Sequence, residues 1–540
     1  MLLLLTWLLV FLLVALPVHA TGVWLRRRGE TDPGVLIAAP LVACGIAAYA
    51  AFGLFFLHPV AGKVFSYGVM VGSGWFVWRD RRNFSTGVGS WRIPALLVLA
   101  IGLFHLALLY LPELGREPEW QAQGRFLYEF PMDANLPKLL GDRLYDGVSP
   151  KPFLPDAGWL SSDRPPLQAG FYLLVRPWLE LAHLPVGLGY QCIGTLVQLF
   201  WVPAFWLAGR RLGLAPRPTA AVILLTAASG FALFNGTYVW PKLLAGAYTL
   251  MAAGLLLRAA ATPTRFSAAV AGAAAALAWL AHGGAAFSLG TLVLVLVVPR
   301  WFPGWKNTAA AAGVLALLVL PWTAYQKAYD PPGNRLVKWH LAGVVPIDAR
   351  PVFQTVGDEY DALAHDTLVA NKRANFKTLF YGDFKSALDV FTTPARQRRV
   401  EEFFYVFRSL GILNLAWVLA PLAWLVRRRL PSGFEPQVFL LAWTAATLVA
   451  WPLLMFIPGS TILHQGSYAM VLSLFLLAIV FLLQLPRWLG IPVLVWHVLG
   501  FGLTWVVYYK SAPLEGTMFV LMALAAGLAG FTLRRSLRSG

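Results

Sequence analysis

Carboxylates, cations and prolines crowd into one stretch of a chain that otherwise carries little charge. Residues 128 to 170 read YEFPMDANLPKLLGDRLYDGVSPKPFLPDAGWLSSDRPPLQAG. Glu129, Asp133 just after Pro131, Asp146 and Asp163 are among the carboxylates of this stretch, a residue type that can take a proton from a hydroxyl. Arg164 stands before Pro165 and Pro166 where a helix should begin, and free backbone N–H groups beside a guanidinium suit an anion such as phosphate. The plainer account is structural: Ser161, Ser162 or Asp163 caps that helix, and proline suits its first turn. Residues 136 to 145 have the pattern of a short amphipathic helix, which sets Asp142 and Asp146 one turn apart on one face.

Isolated polar side chains recur elsewhere, each at the end of an apolar run: Lys242 in YVWPKLLAG, His282 in LAHGGAAF, His464 and Gln465 in ILHQGSYAM. Singly, such groups are more often interfacial anchors or hydrogen-bonded core residues than ligands. If their helix ends meet, they line one cavity. A further stretch, PPGNRLVKWHLAGVVPIDARP, adds Arg335, Lys338, Trp339 and His340 as possible substrate contacts, although a lone tryptophan also serves as an interfacial anchor.

The elements that must position these groups are set by composition. Of the 540 residues, 58% are hydrophobic and 13% charged. A soluble fold of that balance would have too little polar surface for water, whereas apolar runs of about 18 to 25 residues match a bilayer core of roughly 30 Å. The expectation is an all-α polytopic membrane protein with about fifteen transmembrane helices, an interfacial or re-entrant helix over 168–183, and two long extracytoplasmic loops. Leu2 to Ala20 reads as a retained first span, since it lacks a basic leader and Arg26 to Arg28 follow it. Basic clusters at Arg26–Arg28, Arg79–Arg82, Arg210/Arg211, Arg258/Arg265, Arg300/Lys306, Arg427–Arg429 and Arg534–Arg538 are placed on the cytoplasmic side. That puts the N-terminus outside and the C-terminus inside. The segments are 1–111, N-terminal helices; 112–186, first loop and interfacial helix; 187–325, central helices; 326–402, second loop; and 403–540, C-terminal helices. Arg176 and Glu180 within 168–183 would be costly at bilayer depth, which argues against a sixteenth crossing.

Charge sharpens the picture. The net charge of +18 resides mainly in short loops, where topology explains it, so no nucleic-acid partner is indicated. Nine of the 25 acidic residues lie in 112–166 and ten in 326–402, which concentrates any chemistry on one face. Cys44 and Cys192 fall inside apolar runs and indicate no disulfide framework.

An acidic loop after an early span, then DRPPLQAGFYLL leading into an outer-face helix, then many spans and a second outer loop, resembles the C-type glycosyltransferase superfamily. Its members include protein O-mannosyltransferases and aminoarabinose transferases. The resemblance implies an inverting transferase in the bacterial cytoplasmic (inner) membrane, part of the cell-envelope machinery, with a periplasmic active site. It implies a polyprenyl-phosphate sugar as donor, and a glycan, lipid or protein as acceptor. It carries the catalytic acid to Asp133 and the phosphate-binding residue to Arg164, with Lys242 and His464 beside the phosphate. Two departures stand out: three spans precede the one leading into the loop where the family pattern has one, and no compact Asp-x-Asp motif is present. A divalent cation, Mg or Mn, is thus left open as cofactor. The rival reading from another class is a transporter or flippase of lipid-linked saccharides, which would carry ionisable groups at mid-bilayer in paired halves.

Overall fold

The computed structural model describes the chain apart from residues 82–90, 127–131, 155–157, 258–262, 381–393, 428–433, 507–512 and 537–540. Glu129 lies outside the described residues. Among those described, the only regular elements are helices, with two isolated bridges, Pro112 to Leu514 and Leu154 to Trp159. Nine helices are long and apolar enough to cross a bilayer, or ten if Pro216–Ala227 and Gly230–Thr237, bent by 72°, form one broken span. Lys242–Leu256, Arg265–Ala281, Ala285–Leu296 and Tyr468–Gln484 are shorter apolar helices. The protein is a polytopic, all-helical membrane protein.

Local chemistry explains where the helices begin. Asp32 accepts from the Gly34 amide ahead of Pro33–Leu57, and the His58 ring accepts from the Val60 amide ahead of Pro59–Arg79, each with proline in the first turn. Small residues set how closely the helices approach. A Cβ on Gly272 would meet the Ala311 carbonyl oxygen at 2.1 Å, and one on Gly170 the Ala48 oxygen at 2.2 Å. Close approach through such residues is how helices associate where lipid offers no hydrophobic drive. Trp305–Tyr329, by contrast, is only 6% buried and turns Leu317 and Leu320 outward.

The two ends of the bundle differ. At one, Arg211 grips both carboxylate oxygens of Asp32 at 2.9 and 2.7 Å, and Arg27 pairs with Asp80. At the other, residues 111–113 hydrogen-bond with 513–515, joining the first hydrophilic loop to the start of the last helix. The second loop docks on the first there: Asp330 accepts from the Ser161 hydroxyl at 2.7 Å and the Ser162 amide at 3.2 Å, and Arg335 donates to the Gly158 carbonyl. The two long loops therefore share one face of the molecule.

Leu136–Tyr145 is a helix, as its pattern predicts. Leu167–Leu181 has 15 residues, about 22 Å at 1.5 Å per residue and too short for a bilayer core. It forms a hairpin with Val186–Gln198 and is buried from Leu167 to Val175. Ser66 donates to the Leu174 carbonyl at 2.6 Å. Its charged end is satisfied by the first loop: Arg176 contacts Asp142 at 2.6 Å and Asp146 at 3.4 Å, and Tyr145 bonds Glu180. The helix that follows the Arg164 turn is thus enclosed by protein over its first half.

Candidate functional site

Six of the residues singled out in the sequence meet beneath the loops. Asp133 lies on a short 3₁₀ turn before Leu136–Tyr145, and its carboxylate is 2.9 Å from the Arg164 guanidinium, both side chains mostly buried. Arg164 lies over the ring of Trp159 at 4.2 Å, and its Nε is buried without a hydrogen-bond partner among the described residues. Lys242 opens the helix Lys242–Leu256 and feels the charges of Asp133 and Arg164. His282 and His340 each feel Lys242 and Arg164, and His464 feels Lys242 and His340. These groups come from six separate segments.

Lys242 is the unusual member. Its side chain is 4% exposed, yet its ammonium donates no hydrogen bond to any described residue. It rests instead 3.5 Å from the Trp240 ring centroid and 5.7 Å from that of Tyr468. Aromatic faces attract a cation without cancelling its charge. The Trp240 ring stacks on His464 at 5.6 Å, and Phe403 stacks on the same imidazole at 5.6 Å. Trp240 Nε1, His464 Nδ1 and Gln465 Oε1 are all buried without a partner among the described residues. Burial, reinforced by the Lys242 and Arg164 charges, lowers the His340 pKa to about 4. Burial, with Lys242 and His340 adding to it, lowers that of His464 to about 3. Both imidazoles are neutral at physiological pH, which leaves Arg164 and Lys242 facing the carboxylate of Asp133 among the described residues.

The remaining candidates are engaged elsewhere. Asp163 accepts from the Leu160 amide at 3.0 Å, closing the 3₁₀ turn that precedes Arg164, and lies 3.6 Å from Arg335. Burial raises its pKa, opposed by that amide and by Arg335 and Arg164. It is a cap of the turn before the helix start. Asp146 is over half exposed and pairs with Arg176. Arg335 bonds the Val345 carbonyl at 2.7 Å and lies 4.9 Å from Trp159, so Trp159 stands between two guanidinium groups. Lys338 is buried and spent on the Asp348 and Arg350 carbonyls and the Asp348 carboxylate. Trp339 stacks on His340 at 5.8 Å.

No protein-family model, curated protein or solved structure matches this chain.

Among the described residues no group of three or more metal-ligating side chains gathers. A divalent ion beside Asp133 would face the side chains of Arg164 and Lys242. The aromatic partners Trp159, Trp240 and Tyr468 had a trace in the sequence that went unused: a tryptophan two residues before the lone Lys242. Phe403 had none.

Proposed function

We propose that this protein is an integral-membrane glycosyltransferase that moves a sugar from a polyprenyl-phosphate donor to a glycan, lipid or protein acceptor at the extracytoplasmic face of a bacterial cytoplasmic membrane. The observation that carries the reading is Lys242, a buried amine against aromatic faces with no hydrogen-bond partner among the described residues, beside Arg164. A buried charge left uncompensated costs several kcal/mol unless a counter-ion arrives, on the order of the penalty known for buried ions. A lipid phosphate is such a counter-ion at that depth. In this reading all fifteen apolar segments cross the bilayer, and the loop face is outside because the arginine clusters mark the opposite end.

The chemistry follows from the geometry. The acceptor hydroxyl attacks the anomeric carbon, and the bond from that carbon to the phosphate oxygen breaks with its electron pair leaving on the phosphate. Arg164 and Lys242 stabilise the charge that develops there. Asp133 takes the hydroxyl proton. Its present contact with Arg164 is exchanged as the phosphate draws the guanidinium, which leaves the carboxylate facing the acceptor. Attack from the face opposite the phosphate inverts the anomeric configuration.

The test is binding of a polyprenyl monophosphate against the matching polyprenol to the purified full chain, by native mass spectrometry. Preference for the phosphate, lost in Arg164→Ala and Lys242→Met, is expected. Equal binding of the two lipids would overturn the reading. Sidedness is tested separately: a cysteine placed at exposed Asp361 should react with an impermeant maleimide in intact cells, and labelling only after permeabilisation would reverse the topology.

A further inference from the structure

A polar cavity lies beside Glu402, the residue before Phe403. Phe403 faces His464, while the preceding residue, Glu402, points to Trp505, whose indole N–H donates to its carboxylate at 3.1 Å. The cavity beside it measures about 70 Å³ and is walled by Glu401, Glu402, Arg398, Arg408, Trp496 and Trp505. At on the order of 10–15 Å³ per water, that is room for about five to seven waters, comparable with one sugar ring and its hydroxyls.

Its walls are built to hold a shape. The span broken at Ser229 and Gly230 turns by 72° against the cavity. A Cβ on Gly230 would lie 2.1 Å from the Glu402 Oε2 and 2.6 Å from the Trp505 indole, so only glycine lets that carboxyl sit there. Two buried arginines clamp the backbone behind Trp505: Arg399 donates to the Thr504 carbonyl at 2.8 and 3.2 Å, and Arg125 to the Trp505 carbonyl at 2.6 Å. Arg408 pairs with Glu401 at 3.3 Å.

The mixture of wall groups selects the ligand. Two carboxyls oppose an anion, two guanidinium groups oppose a cation, and all four oppose an acyl chain. Hydroxyl groups both donate and accept, and Trp496 and Trp505 stand in the wall, a residue type that packs on the C–H surface of a ring. Burial pushes the Glu402 pKa up to about 7, so near neutrality this carboxyl too can donate as well as accept.

We propose that this cavity binds a single neutral monosaccharide ring. The inference does not depend on the phosphate site: a sugar could be held here whether or not Arg164 and Lys242 take a lipid phosphate.

The test uses the full chain in nanodiscs of phosphatidylethanolamine and phosphatidylglycerol. Saturation-transfer NMR is recorded with glucose, mannose, galactose and N-acetylglucosamine in turn, and with choline phosphate as the charged control. At least one neutral sugar should give a signal, and Glu402→Gln should weaken its affinity about tenfold, the loss expected for a hydrogen bond to a charged group. Gly230→Ala should abolish it by pushing the carboxyl aside. Arg164→Ala should leave it unchanged, while Glu402→Gln should leave polyprenyl-phosphate binding unchanged, so each reading can fail without the other. No sugar signal, a signal for choline phosphate alone, or sugar binding indifferent to Glu402→Gln would overturn the proposal, and Glu402→Gln, close in shape, keeps it falsifiable if Gly230→Ala does not fold.

Discussion

The molecule holds an arginine–aspartate pair at each end, and the two are used differently. At the arginine-rich end, Asp32 takes two bonds from Arg211 while also capping the helix Pro33–Leu57, and a Cβ on Gly34 would strike the guanidinium at 2.6 Å. Those two bonds, both from one terminal nitrogen, join two helix ends, while the Arg211 Nε, like that of Arg164, is buried without a hydrogen-bond partner among the described residues. At the loop face, Asp133 and Arg164 share one contact of 2.9 Å, and among the described residues neither the buried Arg164 Nε nor Lys242 nearby has a hydrogen-bond partner. The first pair makes two contacts between helix ends, and the second makes one contact with a further buried cation beside it. The difference lies in the neighbours, since the residue types are the same.

The sharpest way to break this contrast is to neutralise the acids. Asp133→Asn should lower sugar transfer by about 10² to 10⁴, the usual contribution of a positioned base, with donor binding retained. Asp32→Asn should lower the melting midpoint and leave transfer per folded molecule unchanged. Equal loss of transfer in both variants would make the outer pair structural as well.

Removing the arginines asks the same question through binding. Arg164→Ala should weaken polyprenyl-phosphate affinity about 10- to 150-fold, from charge-assisted bonds worth about 1.5 to 3 kcal/mol, and Arg164→Lys should recover only part because the planar fork is lost. Arg211→Ala should leave that affinity intact and lower stability by about 1 to 3 kcal/mol. Lipid-binding assays and thermal unfolding of the same four proteins decide it. Should Arg164→Ala cost only stability, the turn at Ser161–Asp163 would be a helix start and nothing more.

How much of this was legible in the sequence depends on the range of the interaction. The helix Leu136–Tyr145 and the helical character of the apolar runs are local patterns and could be read directly. Lys242, His282 and His464 stood out as isolated polar residues at the ends of apolar runs, Asp133 and Arg164 by the crowding of charges and prolines in the first loop, and His340 by the cations and tryptophan beside it in the second. Arg335 and Lys338 stood out equally, yet they are spent on the Gly158 carbonyl, 177 residues away, and on the Asp348 and Arg350 carbonyls. No pattern within their own segment records those bonds. The Glu402 cavity was wholly illegible, since residues near 230, 400 and 500 build it and none of the three stretches carries a motif.

Lys242 gives a smaller effect with an uncommon sign. Lys242→Met should weaken polyprenyl-phosphate binding while leaving the lipid-free melting midpoint equal or higher, because an apolar side chain replaces a buried ammonium whose charge nothing pairs. Loss of stability would show that the Trp240 and Tyr468 faces already compensate the charge, and the open site would then be closed after all.

The smallest effect is a pH dependence that opposes the two cavities. His464 titrates near 6.5 when unfolded and, held down by burial and then by Lys242 and His340, at about 3 when folded. The unfolded chain therefore binds the proton first, so this group's contribution is present above pH 6.5 and is lost as pH falls toward 3. Glu402 runs the other way: burial raises it from 4.5 to about 7, so its contribution is present below pH 4.5 and is lost as pH rises toward 7. Thermal unfolding followed from pH 4 to 8 should show His464→Gln flattening the acid side of the profile and Glu402→Gln flattening the rise toward neutrality. If His464→Gln left the acid side unchanged, the imidazole would be taking its proton in the folded protein, and the pocket around Lys242 would not be as dry or as cationic as its geometry requires.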